Sequence, residues 1–540
     1  MLFGRPQPFR TTLRAAWGQP KAGHRNFALI ARYHRIVAEA EPAAPPLDEA
    51  TWQDLNLDEV FTALDHTQSR VGQQVLYHRL RTPRQEAAEV AGFQASVAAL
   101  AADAPAREAA QLALHRLAHY DAYHLADLFA PAPPVVPGWT RAAPWLALVS
   151  AGLLLASAVE PALLFGVGLV FIVNLLLHYR GQYTINAQLK SLEQLGNLYR
   201  AGRALAAVAL PGLDAAALRT DLAALRPLVG RLGFVAQWSQ VPTVELLMPV
   251  WLLGQYVKIT FLLDLLLFRR NAAVLQARKA PLRRLYEALG YVDSALAVAS
   301  WQQTVPYHCA PDFGARPQQL ELREVYHPLV PGCVPNSLAV DGRSVLLTGS
   351  NMSGKTTFMR TVGVNVVLAQ AVGCSLARAY RAPLLRVRSS IAVADSLTEG
   401  KSYYYQEVEA VRALVQAADA PGQLFILDEL FKGTNTVERI AVAYAVLQHL
   451  GRHATVLAAT HDGELAPLLR SRYDLYHFTE AVAAHDLVFD FKLKPGPLTT
   501  RNAIRVLALA GYPPDVVAAA QATAARLDQQ QAARPPLTPA

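Results

Sequence analysis

The chain has 540 residues, of which 52% are apolar, with a formal net charge of +8 and a mean hydropathy of +0.18. That length accommodates roughly two to four domains and excludes any limit on core size. Cys309, Cys333 and Cys374 lack metal-ligand spacing, so they imply neither a zinc site nor a disulfide framework, which suits a reducing compartment. The basic balance fits an anionic partner, nucleic acid or a lipid surface, but charge alone is equally compatible with a merely soluble basic protein.

The N-terminal MLFGRPQPFR is not followed by a signal-peptide core, so secretion is not expected. Residues 1–50 read as a basic arm that ends in a Pro/Ala-rich linker, AEAEPAAPPLDEA. From Trp52 to about Ala126 the pattern is helical: Leu57, Val60, Phe61 and Leu64 recur at helix spacing, and Val71, Val75 and Leu76 continue it. PAPPVVPG then breaks the chain.

Residues 142–159 carry no charge, Glu160 and Pro161 interrupt, and residues 162–177 again carry none. A membrane span needs roughly 17–25 apolar residues. Two short spans turning at Glu160-Pro161 fit this better than one helix. Arg141 and Arg180 then lie on the same side, as cytoplasmic ends prefer. The competing interpretation is a buried helical pair. A third apolar region, 246–268, contains Lys258 and Asp264, which are costly in lipid. It reads as a third span, an interfacial helix or a core helix. A non-spanning role is favoured, because a third crossing would carry the C-terminal half outside. The competing layout is one long tilted span at 142–177 with a return span at 246–268. Residues 271–306 form an amphipathic helical pattern. Beyond about Leu320, short apolar strands alternate with helices, as in an α/β domain. The tail from Gln529 reads as disordered.

The chemistry lies in that last region. Gly349, Ser350, Asn351, Met352, Ser353, Gly354, Lys355 and Thr356, followed by Thr357, fit the phosphate-loop pattern G-x-x-x-x-G-K-[ST]. They follow an apolar strand, SVLLT, and precede a helix, so backbone N–H groups and the helix N-terminus point at phosphates. Lys355 is expected to reach the β- and γ-phosphates of ATP, and Thr356 to ligate Mg²⁺. LFILDE supplies the acidic strand end: Asp428 for Mg²⁺ and Glu429 to polarise the attacking water. ATVLAATHD ends a third strand at His461, placed to contact the γ-phosphate or the water. Asn435 and Glu438 fit a helix cap, with Val437, Ile440, Tyr444 and Leu447 on one apolar face. That helix is either a dimer seam or a plain surface helix.

TGSNMSGKTTFMRTVG, DSLTEGKSYYYQEV, LDELFKGTNT, AATHDGEL and FKLKPGP occur in the order found in the MutS family of mismatch-repair ATPases, which this chain resembles over about residues 321–520. VYHPLVPGCVPNSL resembles the family's adenine-cupping segment, with His327, Pro328 and Asn336 matching. The resemblance implies an ATP-binding-cassette-like ATPase that uses ATP and Mg²⁺ and forms a homodimer with two composite sites. Ser402, in EGKSYYY, occupies the position of the family's trans-acting serine. Upstream, LNLDEVFTALDHTQSRVGQQVLYHRLRTP and ALGYVDSALAVASW resemble the start and end of the family's helical core. The interval where the family carries lever helices and a DNA clamp here holds the apolar segments.

Together these readings give an α + α/β chain. The expected order is an arm at 1–50, a helical core and lever region at 51–320 containing 142–177 and 246–268, a MutS-like ATPase domain at 321–528 and a tail at 529–540. The first 50 residues are too few for the family's mismatch-reading domain, and the connector also has no room. DEIGRGTST of the family is DELFKGTNT here, with Phe431 and Lys432 at the altered positions, and its SYG is Arg501-Asn502-Ala503. ATP hydrolysis therefore carries over more firmly than mismatch recognition. The expected function is a MutS-like ATPase coupled to DNA binding, its ATPase domain cytoplasmic and anchored at the inner membrane. The alternative is a membrane-tethered ATPase or scaffold that acts on a protein partner. A transporter ATPase ranks lower, since LSGGQ is absent.

Overall fold

The computed structural model describes residues 7–40, 46–130, 138–239, 248–349, 353–391, 403–483, 486–498 and 503–532. The chain divides into two compact units, and neither is continuous in sequence. One comprises residues 1–45, 64–82 and 92–304; the other comprises 46–63, 83–91 and 305–540.

The first unit is helical throughout its described residues. Tyr33, Phe129 and Tyr286 form an aromatic cluster, with ring centroids 5.0 Å apart for both the tilted Tyr33–Tyr286 pair and the edge-to-face Phe129–Tyr286 pair. The helices Arg70–Arg81 and Lys279–Trp301 meet at a fully buried carboxylate, Asp293. Asp293 accepts from the backbone N–H groups of Gln68 and Ser69, each at 2.8 Å, and from the Ser69 hydroxyl at 2.5 Å. Burial pushes its carboxyl up to about 6, and these three donors hold it from going higher. Ser69 also caps the helix Arg70–Arg81, accepting from the Gly72 N–H at 2.8 Å. A Cβ on Gly72 would lie 2.0 Å from the Asp293 carboxylate, so only glycine permits this approach.

Two helices of this unit, Gly138–Ala156 and Pro161–Arg180, are long and apolar enough to cross a membrane. The backbone leaves the α-helix after Ala156, and Pro161 opens a short 3₁₀ turn. A single continuous helix over 142–177 therefore does not form. From Leu164 the second helix continues as α-helix without a break to Leu205, 42 residues, or about 63 Å. Its first part is exposed and apolar, with Phe165 at 89% and Leu176 at 67% of full exposure; its last part buries Leu195, Leu198 and Leu205. The third apolar region is divided into Met248–Thr260 and Leu263–Ala277, broken at Leu262, whose φ is +49°. Buried Asn174 sits at the end of the first of these helices, donating to the Thr260 carbonyl at 2.7 Å and to the Ser150 hydroxyl at 3.1 Å. It thereby satisfies a helix-terminal carbonyl that would otherwise lack a partner.

The second unit is α/β. Its main sheet holds β3 (Ser344–Thr348), β5 (Arg386–Ser390), β6 (Gln423–Asp428), β7 (Thr455–Ala459), β8 (Tyr473–His477) and β11 (Lys494–Pro495). The strand order is β11-β8-β3-β7-β6-β5, parallel except at the β11 edge. β3 and β7 are buried along their whole length, as doubly covered parallel strands require. A small antiparallel sheet joins β1 (Gln319–Val325), β2 (Asn336–Asp341) and β4 (Ala379–Arg381), and β9 (Glu480–Ala483) pairs with β10 (Asp486–Phe489). The edge strand β5 is closed by the helix Glu49–Asp54. The Thr51 hydroxyl accepts from the Ser389 N–H at 2.9 Å, and Asp54 accepts from the Ser389 hydroxyl at 2.6 Å and the Ile391 N–H at 2.9 Å.

Several local expectations change in detail. The acidic strand stops at Asp428, and Glu429 turns away with φ +52°. Val437 lies off the apolar face expected of the helix Thr436–His453: it is 78% exposed, whereas Leu447 is buried. The helix Pro514–Ala532 runs past Gln529, where the tail was expected to begin.

Gly72→Ala should destabilise the helical unit by about 1–3 kcal/mol through overpacking. Gly92→Ala, within a helix and with open space beside it, should be neutral or mildly stabilising. Denaturation midpoints of the two variants check this, and equal midpoints would contradict the close-approach argument.

Candidate functional site

The loop after β3 and the ends of β6 and β7 converge because these strands are neighbours in the sheet and point the same way. Open parallel sheets bind ligands beyond the carboxyl ends of their strands. Gly349 leaves β3 with φ +144°, where a Cβ would lie 2.8 Å from the Phe478 carbonyl; Gly354 adopts φ +101° directly before the helix Lys355–Val372. Both conformations favour glycine. Lys355 is buried, and its ammonium donates to the Gly349 carbonyl at 2.5 Å. Ser353 is buried and Thr357 exposed. Ser350, Asn351 and Met352 lie outside the described residues, as does Ser402.

The Thr356 hydroxyl donates to the Asp428 carboxylate at 2.6 Å. Burial raises the Asp428 pKa; the Thr356 hydrogen bond lowers it and the charge of Glu429 raises it further. One hydroxyl and one carboxylate, hard oxygen ligands converging at a helix N-terminus, suit Mg²⁺. Glu429 follows immediately. One of its oxygens contacts the His461 Nε2, and the other pairs with the Lys432 ammonium at 2.8 Å.

His461 is set by its neighbours. The Thr460 N–H donates to the Leu347 carbonyl of β3 at 3.0 Å. Asp462 is gripped by Arg439, with N–O distances of 2.8 and 2.7 Å. The His461 imidazole is held below its ordinary pKa, first by burial and then by Lys355. It therefore favours the neutral form, able to donate from one nitrogen and accept at the other.

His327 and Asn336 are the residues expected to cup a base. His327 is buried and its Nδ1 accepts from the Leu329 N–H at 3.2 Å. Burial, aided by Arg360, pushes its pKa down to about 4. Asn336 pins a distant segment, accepting from the Leu493 N–H at 2.8 Å and donating to the Phe491 carbonyl at 2.9 Å. That bond seats Phe491, and a Cβ on Gly354 would lie 3.2 Å from its ring. Nothing local in the sequence singles out Phe491. Its only signal was its place at the head of FKLKPGP.

Asn435 caps the helix Thr436–His453 as expected, accepting from the Glu438 N–H at 3.0 Å. Glu438 instead accepts from the Thr434 hydroxyl at 3.0 Å.

Gly349, Gly354, Lys355 and Thr356 thus lie at the same edge of the α/β sheet as Asp428 and Glu429. Residues 345–528 match the family model for MutS domain V. The DNA mismatch repair protein MutS of Thermus aquaticus is 34% identical over 271 residues, covering 48% of this chain and 33% of that protein. MutS of Myxococcus xanthus is 32% identical over 283 residues, covering 48% and 30%. These matches place residues 345–528 with MutS domain V, and the chain spans about a third of the length of these curated relatives.

Because His327 stays neutral when folded but titrates near 6.5 when unfolded, the unfolded state binds the extra proton first. Its contribution to stability is present above about pH 6.5 and is lost as pH falls toward about 4. His327→Asn should therefore lose less stability than the parent between pH 7 and pH 5. Thermal unfolding at both pH values checks this, and parallel losses would contradict it.

Proposed function

We propose that this protein is a MutS-like ATPase that binds and hydrolyses ATP with Mg²⁺ in a dimeric composite site and couples the cycle to DNA at a membrane surface. The single observation that carries the reading is the convergence of Lys355, Thr356, Asp428, Glu429 and His461 at the carboxyl ends of β3, β6 and β7. The relatives' printed name, DNA mismatch repair protein MutS, supports the DNA side.

In this mechanism the loop N–H groups and Lys355 hold the phosphates, trading the Lys355–Gly349 bond for a stronger contact with an anion. Thr356 and Asp428 hold Mg²⁺, which when bound supplies charge neutralisation at the phosphates. Glu429 orients the attacking water and takes its proton. His461, held on Thr460 and Asp462, contacts the γ-phosphate or that water. His327, Asn336 and the Phe491 segment receive the base. Ser402, reaching from a second copy, completes the site with its hydroxyl and helix start.

The exposed apolar helices Gly138–Ala156 and Pro161–Arg180 support anchoring as a membrane hairpin, with the ATPase domain on the cytoplasmic face. Arg180 stacks over Trp139 at 6.0 Å from the ring, which brings a cation and an aromatic ring together where the two helices meet the interface. This apolar surface also favours the second reading, a membrane-tethered ATPase or scaffold acting on a protein partner.

Lys355→Ala should abolish nucleotide binding or turnover. Glu429→Gln should lower kcat by about 10²–10⁴-fold while retaining ATP and trapping a dimer. Steady-state ATPase of the detergent-extracted chain checks both, and parental hydrolysis by Glu429→Gln would remove the general base. The same assay with no DNA, homoduplex, mismatched and branched DNA separates the two readings: stimulation with steep salt dependence supports DNA coupling, and a rate indifferent to every DNA supports the protein-partner reading. The chain should stay with membranes through an alkaline carbonate wash; release into the supernatant would contradict the hairpin.

A further inference from the structure

We propose that Lys432 is a positioning residue that latches Glu429 in the resting site and releases it when the γ-phosphate arrives. The inference rests on reading Glu429 as the general base. Its starting point is that both oxygens of Glu429 are engaged by cations or donors: one by His461, the other by the Lys432 ammonium at 2.8 Å. A general base must direct a lone pair at its water within about 2.6–3.2 Å. Lys432 draws the carboxylate toward itself and offsets its charge.

The backbone beneath Lys432 is fixed from three directions. Buried Glu407 accepts from the Lys432 N–H at 3.2 Å and from the Gly433 N–H at 3.3 Å. Phe431 is buried in the hydrophobic core with φ +62°, beside Tyr404 at 6.4 Å between ring centroids. A Cβ on Gly433 would lie 2.9 Å from the Tyr404 Cβ. The backbone therefore cannot follow a change in the site, but the Lys432 side chain, 45% exposed, can swing. Lysine suits this role, as a point charge on a flexible stem, where arginine would clamp a carboxylate in two places. The γ-phosphate brings concentrated negative charge beside Lys355, and that charge competes with Glu429 for Lys432 and His461. Substrate then frees the base that acts on it. Glu407 and Tyr404 lie on the helix Tyr403–Ala417, so that helix sets the position from which Lys432 reaches Glu429.

The test measures ATPase kinetics of the full chain carrying Lys432→Ala, Lys432→Met or Lys432→Arg. Removing a half-exposed ion pair should raise kcat by about two- to five-fold in Ala and Met. KM for ATP should change by less than about two-fold, since the latch does not hold nucleotide. Arg should stay at or below the parental rate. In a Glu429→Gln background, Lys432→Ala should have no effect. Binding of a fluorescent ATP analogue verifies that each variant is folded, and Met keeps the aliphatic stem should Ala perturb the loop. An unchanged or lowered kcat in both Ala and Met, with the parent active, overturns the latch alone. A parent that hydrolyses no ATP overturns the ATPase reading and the latch with it.

Discussion

The hydrogen bond from Thr356 to Asp428 is the contact on which the candidate site depends. It joins the first turn of the helix after β3 to the end of β6, two elements 72 residues apart in sequence. It forms because β3, β7 and β6 lie side by side and parallel, which brings their carboxyl ends to one edge. Once these ends are in register, Lys355 reaches back to the Gly349 carbonyl, Glu429 turns out past the last strand residue, and His461 arrives from β7. The left-handed backbone of Glu429 costs about 1 kcal/mol. That cost is tolerated because Phe431 is buried two residues later and Glu407 holds the next two N–H groups.

The site is thus built in layers of decreasing rigidity. β3 and β7 are buried throughout, the Thr356–Asp428 bond ties the strand ends together, and the Glu429 and His461 side chains are partly exposed. Asp462 with Arg439, and Asn336 with the Phe491 segment, hold the outer parts in place without touching the central carboxylates. The helical unit follows a different logic. One buried carboxylate, Asp293, and one missing Cβ, at Gly72, let two helices approach closely. One buried amide, Asn174, ties together three apolar helices, bonding Ser150 within one and the last carbonyl of another. Exposed Phe165, Leu169 and Leu176 belong to the apolar surface on which the proposed membrane anchoring rests.

What was legible in the sequence was what neighbouring residues determine. The strand–loop–helix around Gly349 is local, as are the apolar run ending at Asp428, the Asn435 cap and the interruption at Glu160-Pro161. What was not legible depends on contacts between distant segments. Asp54 and Ser389 are 335 positions apart, Asn336 and Phe491 are 155 apart, and Glu407 reaches the loop 25 residues away. Hydrophobic periodicity carries no record of such pairs. It also misplaced Val437, because the first turn of that helix projects beyond the core that buries Leu447. The break at Leu262 is likewise not local information: hydrophobic patterning over 246–268 carries no record of a left-handed leucine or of the Asn174 amide that bonds the Thr260 carbonyl.

The central claim is that Thr356 and Asp428 are the metal-facing half of one ATP site. Calorimetric titration of the full chain with ATP, with and without Mg²⁺, tests it directly when repeated on Asp428→Asn. The account predicts tighter binding with Mg²⁺ in the parent and loss of that increment in Asp428→Asn. Equal affinity with and without Mg²⁺ in the parent, or an undiminished increment in the variant, would contradict it.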